Sequence, residues 1–314
     1  MSWLSNANPV LVKELRGRMR GARAFVILTV FLLVLAIPTV LIYLSMAQTV
    51  RFDPFSAGQQ IGKALFIGIV TIALIQIMIV VPGQAASALT SEKERETYDL
   101  LISTLLPPWK IIIGKLLAAL AYAVLLIVAV IPFMAVSFFF GGVTLQEFLL
   151  ALLGLLVTVI LFGSIGILWS VIMRRSLAAT IVTQATTVAV LLGIPFLMVV
   201  FAILFLSRPT EPEWTRSGVF LFLWLSFMSL HPFLALGSSE ILLTEGQTDV
   251  LFSAERGNLF LLPTSGFRDG VNEMMLPQPW LLYTLEGLLI SVVLVAISIR
   301  LLGPINDGPR RRRK

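Results

Sequence analysis

The residue types that most often carry catalysis or bind metals are scarce in this chain of 314 residues. It has no cysteine and a single histidine, His231. Without cysteine there is no thiolate nucleophile, no disulfide and no Cys-ligated metal, and no carboxylate lies at helical spacing from His231 to share a metal ion with it. An intramembrane protease or phosphatase would need paired aspartates, a serine with a histidine, or a set of metal ligands. The sequence therefore argues against a self-contained enzyme.

The sequence also lacks a complete phosphate-binding loop. The Walker A motif G-x-x-x-x-G-K-[ST] surrounds phosphates with backbone amides and its lysine, so its spacing is fixed. The segment "GQQIGKAL" from Gly58 is one residue short and has no Ser or Thr after the lysine, and "IIIGKLL" around Gly114 has no upstream glycine. We therefore expect this chain to bind no nucleotide, metal or other cofactor itself.

The elements that hold the remaining polar residues are long apolar segments. The chain is 58% hydrophobic and 13% charged, about half the charged fraction of a soluble globule. A helix needs about 20 apolar residues to cross a bilayer, and six segments qualify. The sequence predicts an all-α polytopic membrane protein with a single transmembrane domain over 1–314. The six predicted spans are Phe25–Ala47, Ala64–Ala86, Leu116–Phe140, Phe148–Met173, Leu177–Leu206 and Leu281–Ile299.

A seventh apolar stretch, Ser217 to Ser239, is interrupted by His231-Pro232, and proline disfavours helix at the residue before it. If six helices cross and the N-terminus is cytoplasmic, 17 of the 23 lysines and arginines lie on the cytoplasmic side, as the positive-inside rule favours. A seventh crossing would place the basic tail, 304–314, outside. We interpret 217–243 as a re-entrant hairpin within an outer region, 207–280, with a true span as the alternative.

The same topology accounts for the net charge of +6, which predicts contact with membrane lipid rather than nucleic acid. It also predicts a multi-pass protein of the cytoplasmic membrane with both termini in the cytoplasm. Before the first span, Leu11, Leu15 and Met19 form one apolar stripe. This pattern predicts a basic interfacial helix within 1–24, either an elbow that contacts a cytoplasmic partner or a simple anchor. The candidate functional residues of this helix are Lys13, Glu14, Arg16 and Arg20.

The cytoplasmic loop between spans two and three, about 91–106, is called the coupling segment here. Ser91 and Glu94 have capping-box spacing. The carboxylates of Glu92, Glu94 and Glu96 suit the first turns of a helix, where the helix dipole favours negative charge. Apolar residues follow, and Pro107-Pro108 ends the pattern. The pattern predicts a short amphipathic helix rigidly tied to two spans. It fits an element that receives force from a cytoplasmic motor, or an ordinary surface helix.

Two of these segments resemble the permeases of type-2 ABC exporters: "NPVLVKELRGRMR", and "SEKERETYDLLISTLLPPWKIIIGKLL" before the third span. In that family the first is an elbow helix. The second, an acidic-basic run followed by "LLLSTP" and "GK", is the coupling helix that docks into the ATPase. This chain matches through Glu92–Leu106, Pro107 and Gly114-Lys115, but no glycine precedes Thr97, and Leu105-Leu106 stands where one residue is more usual.

The six-span order with a broken apolar hairpin also looks like that family, and "SLHPF" resembles its Asn-Pro-Phe turn, with His231 in place of Asn. The resemblance implies a permease subunit of an exporter, an ABC ATPase subunit dimer that binds the ATP, and a second permease, identical or related. The ATPase-coupling residues that it implies are Glu92, Glu94, Arg95, Thr97, Leu100, Leu101 and Thr104.

Four polar residues in or near the apolar segments are candidate gate or pathway residues. Glu286 lies about 9 Å into the last span at about 1.5 Å per residue, where an ionisable group usually faces protein or water. It could face the hairpin as a gate or reach the outer interface as a snorkelling carboxylate. Gln76 and Gln184 could line a path or join helices, and His231 could be a turn residue or a ligand.

Two other classes of protein stay open. A stand-alone ion-coupled transporter normally carries acidic residues near the middle of the bilayer, and Glu286 is the one candidate in the predicted spans. A non-transporting membrane partner, such as an immunity protein, has no sequence feature against it. The cargo is not readable, although the mainly Leu, Ile, Val and Phe composition of the spans suits an apolar or amphipathic molecule.

Overall fold

The computed structural model describes residues 22–47, 54–103, 106–206, 218–244, 252–254 and 275–302. Helices dominate these ranges, which confirms the main part of the all-α prediction. The helices are α1 (Ala22–Ala47), α2 (Pro54–Glu94), α3 (Tyr98–Ile102), α4 (Pro108–Phe140), α5 (Leu145–Ile172), α6 (Ser176–Phe201, continued by a π-helical turn Ala202–Leu206), α7 (Gly218–Ser229), α8 (Pro232–Thr244) and α9 (Pro279–Leu301).

Six of the described helices are long and apolar enough to cross a membrane, namely α1, α2, α4, α5, α6 and α9. They correspond to the six predicted spans. The candidate span in α2 has 38 residues, about 57 Å at 1.5 Å per residue, which is nearly twice the roughly 30 Å of a hydrocarbon core. Helix α2 therefore extends past both ends of the predicted Ala64–Ala86, and it carries Lys63 and Lys93 beyond the apolar run.

Helix α5 lies at the centre of the bundle. In its most apolar window 61% of the residues are buried within the chain, against 11% for α1 and for α6. A Cβ atom on Gly166 would lie 2.6 Å from the Pro82 carbonyl oxygen and 2.7 Å from the Ala85 Cβ, so glycine permits this close approach of α5 and α2. The two helices form a tightly packed pair, whereas α1 and α6 expose most of their apolar surface.

The seventh apolar stretch is divided into two helices, α7 and α8, at the predicted turn. Helix α7 ends at Ser229, α8 begins at Pro232, and the two axes are bent by 115°. With 12 and 13 residues, neither helix is long enough to cross a bilayer alone. The break follows from Pro232, whose ring disfavours helical backbone at His231.

A short pair of strands interrupts the helical architecture. Strand β1 (Phe252–Ala254) pairs antiparallel with β2 (Met275–Pro277), in the register Phe252 opposite Pro277 and Ala254 opposite Met275. The sequence analysis predicted no strand in this outer region. Each strand has three residues, which is too short for a period-two pattern to be recognised.

The predicted start of the coupling helix is wrong, because α2 continues through Ser91 to Glu94. Helix α2 ends in a Schellman motif: Thr97 N–H donates to the Glu92 carbonyl (3.0 Å), and Glu96 N–H donates to the Lys93 carbonyl (3.3 Å). Glu96 takes the left-handed conformation, with φ 57°. A separate helix, α3, then covers only Tyr98–Ile102.

Candidate functional site

The coupling segment meets the ends of three other helices, and we call this part of the bundle the coupling end. Lys93, in the last turn of α2, reaches the C-terminus of α5. Its Nζ donates to the carbonyl oxygens of Ser170 (3.1 Å), Val171 (2.5 Å) and Met173 (2.8 Å). The last carbonyls of a helix have no partner within the helix, and a cation there also suits the helix dipole. Lys93 therefore fixes the end of α2 against the end of α5.

Glu94, the next residue, holds the beginning of α6. One carboxylate oxygen accepts from the Ser176 N–H and the other from the Ser176 hydroxyl, both at 2.7 Å. The N-cap residue of α6, Arg175, makes no side-chain capping hydrogen bond. A carboxylate from a distant part of the chain thus takes the role that Ser, Thr, Asp or Asn usually takes at an N-cap.

Glu92 links the same turn to α4. Its carboxylate accepts from Lys115 Nζ at 3.5 Å and also from the hydroxyl of Thr97. Lys115 is 1% exposed and donates to the Ala88 carbonyl at 2.7 Å. The lysine of the "GK" pair in the sequence is therefore a buried tether between α4 and α2.

The coupling segment packs on the bundle through the side chain of Tyr98. Tyr98 is buried, lies 5.5 Å below Lys93 Nζ, and packs with Ile111, Ile112 and Ile167. Burial, with a smaller effect of the nearby carboxylate of Asp99, raises the pKa of the Tyr98 hydroxyl. The apolar base under the segment therefore joins α2, α3, α4 and α5.

The predicted coupling residues divide into two groups. Glu92 and Thr97 are half-buried and contact this chain, and Leu101 packs against the base. Arg95 and Leu100 are exposed, and the Leu100 side chain is 69% accessible. Glu94 is exposed and bonded to Ser176. Thr104 and the predicted elbow residues Lys13, Glu14, Arg16 and Arg20 lie outside the described residues.

Glu286 contacts the broken helix pair from α9. Its two carboxylate oxygens accept from the hydroxyls of Ser226 and Ser229, the second at 2.9 Å. The carboxylate is thus directed at α7, the first half of the pair. The sequence left two placements open for Glu286, either facing the hairpin or reaching the outer interface. The hydrogen bonds to Ser226 and Ser229 match the first of these.

His231 joins the turn between α7 and α8 to α6. Leu234 N–H donates to His231 Nδ1 at 3.2 Å, so Nδ1 is an acceptor, and the other ring nitrogen, Nε2, is left to donate to the Leu191 carbonyl at 3.1 Å. Nδ1 caps the start of α8 as an asparagine oxygen would. This explains how histidine can occupy the asparagine position of the Asn-Pro-Phe turn.

Of the two candidate glutamines, Gln184 makes a contact between α2 and α6 and Gln76 is buried in α2. The Gln184 amide donates to the Ile79 carbonyl at 2.6 Å, which joins the two helices in the manner of polar residues in membrane bundles. Gln76 is 7% exposed, and its side-chain amide has no hydrogen-bond partner among the described residues.

The sequence analysis did not find an ion-pair cluster at the opposite end of the bundle, which we call the distal end. Lys63 of α2 lies 3.0 Å from Glu147 of α5 and 2.5 Å from Glu240 of α8. Glu147 also completes a capping box with Thr144 at the start of α5. The T-x-x-E spacing is visible in the sequence, but the pairing with Lys63 and Glu240 depends on the fold.

The six long apolar helices of the described residues define a polytopic membrane protein. Polar contacts tie α2 to α4, α5 and α6 at one end of the bundle, and an ion-pair cluster lies at the other. The family model of the ABC-2 family transporter protein matches residues 9–301. The chain therefore belongs to that family and is a membrane permease. This confirms the resemblance to type-2 ABC permeases that the sequence showed. A search of curated proteins found no match.

Proposed function

We propose that this chain is the permease subunit of an ABC exporter of the cytoplasmic membrane, and that a separate ATPase subunit binds and hydrolyses the ATP. The observation that carries the proposal is the arrangement of Lys93 and Glu94. These two residues attach the coupling segment to the end of α5 and to the beginning of α6. Family membership supports the same function, since such permeases normally work with an ABC ATPase.

The exposed part of the coupling segment would bind the ATPase. Arg95 and Leu100 face away from the bundle, whereas the residues behind them are tied to α4, α5 and α6. A displacement of the segment by the ATPase would therefore move several helix ends together. In this role the segment is a lever, and no chemical step takes place in this chain.

Helix α6 would carry the displacement to the distal half of the bundle. It begins at Ser176, bonded to Glu94, and its Leu191 carbonyl accepts from His231 at the α7–α8 turn. These two contacts are about 22 Å apart along the helix at 1.5 Å per residue. Since α6 is the least buried span together with α1, it can shift without opening the α2–α5 core.

The proposal also includes a second permease, an identical or related chain, and two ATPase subunits. It places the coupling end and both termini in the cytoplasm, and α7 and α8 in the membrane as a re-entrant hairpin on the outer side. The exposed apolar faces of α1 and α6 would contact lipid or the second permease.

The test is purification of the tagged full-length chain together with the subunits that it binds. The purified complex is then searched for a second protein with a Walker A motif, and its vanadate-sensitive ATP hydrolysis is measured. We expect Leu100→Asp to remove the ATPase and its activity. A matched control is Leu145→Asp, since Leu145 is also exposed, at 62%, but lies at the distal end in the first turn of α5, where a carboxylate is tolerated. A wild-type chain without an ATP-hydrolysing partner, or full retention of that partner by Leu100→Asp, would contradict the proposal.

A further inference from the structure

A cavity of about 320 Å³ lies at the distal end, between α2, α5, α8 and the beginning of α9. On α2 its lining runs from Phe66 to Leu74, within the predicted span Ala64–Ala86. This stretch of α2 covers about 12 Å at 1.5 Å per residue. The cavity therefore lies at the depth of the hydrocarbon layer, in the part of that layer nearest the distal end.

The walls of the cavity are mainly apolar. They include Phe66, Val70, Leu74, Leu236 and Trp280. An apolar cavity stays dry, because a bound water needs several polar partners. An empty cavity is also unfavourable, since the atoms of its walls lack contacts on that side. The lining therefore fits an apolar occupant.

Four polar side chains of the lining have partners within this chain. Glu147 and Glu240 both pair with Lys63, at 3.0 Å and 2.5 Å. The hydroxyls of Ser238 and Ser239 donate to carbonyl oxygens in the preceding turn of α8, at 2.6 Å and 2.7 Å. These contacts hold the four groups without a polar ligand.

The cavity opens on the apolar surface of the bundle. Ile67 of α2 and Ile241 of α8 belong to its lining, and they are 46% and 39% exposed. An apolar residue exposed on a membrane-spanning helix such as α2 faces acyl chains rather than water. Gly237 lies one turn before Ile241 on the same side of α8. It is exposed as well, and a Cβ atom built on it meets no atom within 4 Å. The mouth of the cavity is therefore open towards the lipid.

We propose that this cavity binds part of one acyl chain of a membrane phospholipid, which enters between Ile67 and Ile241 and reaches Trp280. The volume is too small for a diacyl lipid, so the headgroup and the second chain stay outside. The bound chain fills the space between α8 and the α2–α5 pair, and in this way it supports the second half of the hairpin. The ligand is a lipid of the surrounding membrane and not the cargo, so the site goes beyond the proposed function.

Trp280 makes the occupant observable, because bromine atoms quench indole fluorescence on contact. Trp280 is 9% exposed, so lipid around the outside of the bundle has little access to it. The full-length chain is placed in nanodiscs of a phosphatidylcholine that carries bromine in the upper part of one acyl chain, or of the same lipid without bromine. The same chain with Trp280→Phe is measured beside it, and the difference isolates the emission of Trp280.

Gly237→Leu provides a variant that fills the mouth of the cavity. In a helix leucine is preferred to glycine, so we expect this variant to fold. Gly193→Leu is the matched control, since a Cβ atom on Gly193 of α6 also meets no atom within 4 Å, and Gly193 is not part of the lining. The brominated lipid should quench Trp280 in the wild type and in Gly193→Leu, and Gly237→Leu should lose this quenching.

A wild-type chain whose Trp280 is not quenched by the brominated lipid would overturn the site. Unchanged quenching in Gly237→Leu would overturn the entry of the chain between α2 and α8. Equal loss of quenching in Gly193→Leu would also overturn it, because the effect would then not belong to the cavity. These measurements use no ATPase, so they separate this proposal from the proposed function.

Discussion

The carboxylate of Glu94 caps helix α6 at Ser176, with both of its oxygens 2.7 Å from Ser176 atoms. The two residues are 82 positions apart in the sequence. The contact joins the last turn of α2 to the first turn of α6, and Lys93 makes a similar contact with the end of α5. In this protein the coupling end of one apolar helix, α2, therefore positions two others, α5 and α6.

Glu94→Ala should reduce transport and lower the melting temperature, because α6 loses its only described side-chain cap. A second substitution separates the two effects. Arg175 is the N-cap residue of α6 and has extended backbone, so Arg175→Asp can supply a local cap. In the double variant we expect the melting temperature to recover but not ATP-driven transport, measured in proteoliposomes. Recovery of transport would show that the tie to α2 has no role in coupling.

Glu96→Gly should stabilise the protein by about 1 kcal/mol, since glycine adopts the left-handed conformation without the cost that other residues incur. Glu96 has φ 57° at the end of α2, the position where the family pattern has glycine before the threonine. Glu96→Val should destabilise it, because β-branched residues disfavour this conformation. Thermal unfolding in detergent measures both changes. Equal stability of the two variants would exclude a backbone effect.

The spans were predictable because a bilayer imposes a simple rule on composition and length. The contacts at the helix ends were not. Ser91–Glu94 and Thr144–Glu147 show the same capping-box spacing, but only the second forms the motif. The second follows Gly141 and Gly142, whose positive φ angles end α4, whereas nothing stops α2 before Ser91.

The environment of the predicted coupling residues was likewise not predictable from the sequence alone. Their coupling role stays a prediction. Their division into exposed and tethered groups depends on Lys115 and Ser176, which lie 23 and 82 positions from their partners Glu92 and Glu94. The Lys63 cluster brings together α2, α5 and α8, and a single sequence has no local signal for such a pairing. The turn at His231 was predictable, since Pro232 acts on its immediate neighbour.

His231→Asn should cost less stability than His231→Ala. Asparagine keeps an acceptor for the Leu234 N–H at the start of α8 and loses only the bond to the Leu191 carbonyl. Alanine loses both, at about 1 kcal/mol for the cap and about 1 kcal/mol for the further hydrogen bond. Urea unfolding of the two variants measures the difference. If the two substitutions have the same effect, the capping role of Nδ1 is wrong.

Glu286→Gln should leave ATP-driven transport largely intact. Glutamine keeps an oxygen that accepts from Ser226 or Ser229, so the contact of α9 with α7 persists. Glu286→Leu removes both acceptors, so the Ser226 hydroxyl loses its partner while the Ser229 hydroxyl keeps the Ser226 carbonyl at 2.8 Å. This substitution should destabilise the contact of α9 with α7 by about 1 to 3 kcal/mol. Transport assays and thermal unfolding distinguish the two. Loss of transport in Glu286→Gln, together with transport that survives removal of the ATPase, would instead establish an ion-coupled mechanism.

Single-cysteine labelling tests the orientation on which the coupling role depends. Because the natural chain has no cysteine, Glu96→Cys and Leu145→Cys each introduce one thiol, at the coupling end and the distal end, and both positions are exposed. A membrane-impermeant maleimide added to intact cells should label Leu145→Cys, and it should label Glu96→Cys only after the membrane is opened. The predicted excess of lysine and arginine on the cytoplasmic side gives this orientation its physical basis. Labelling of Glu96→Cys in intact cells would place the coupling segment outside, where no cytoplasmic ATPase can reach Arg95 or Leu100.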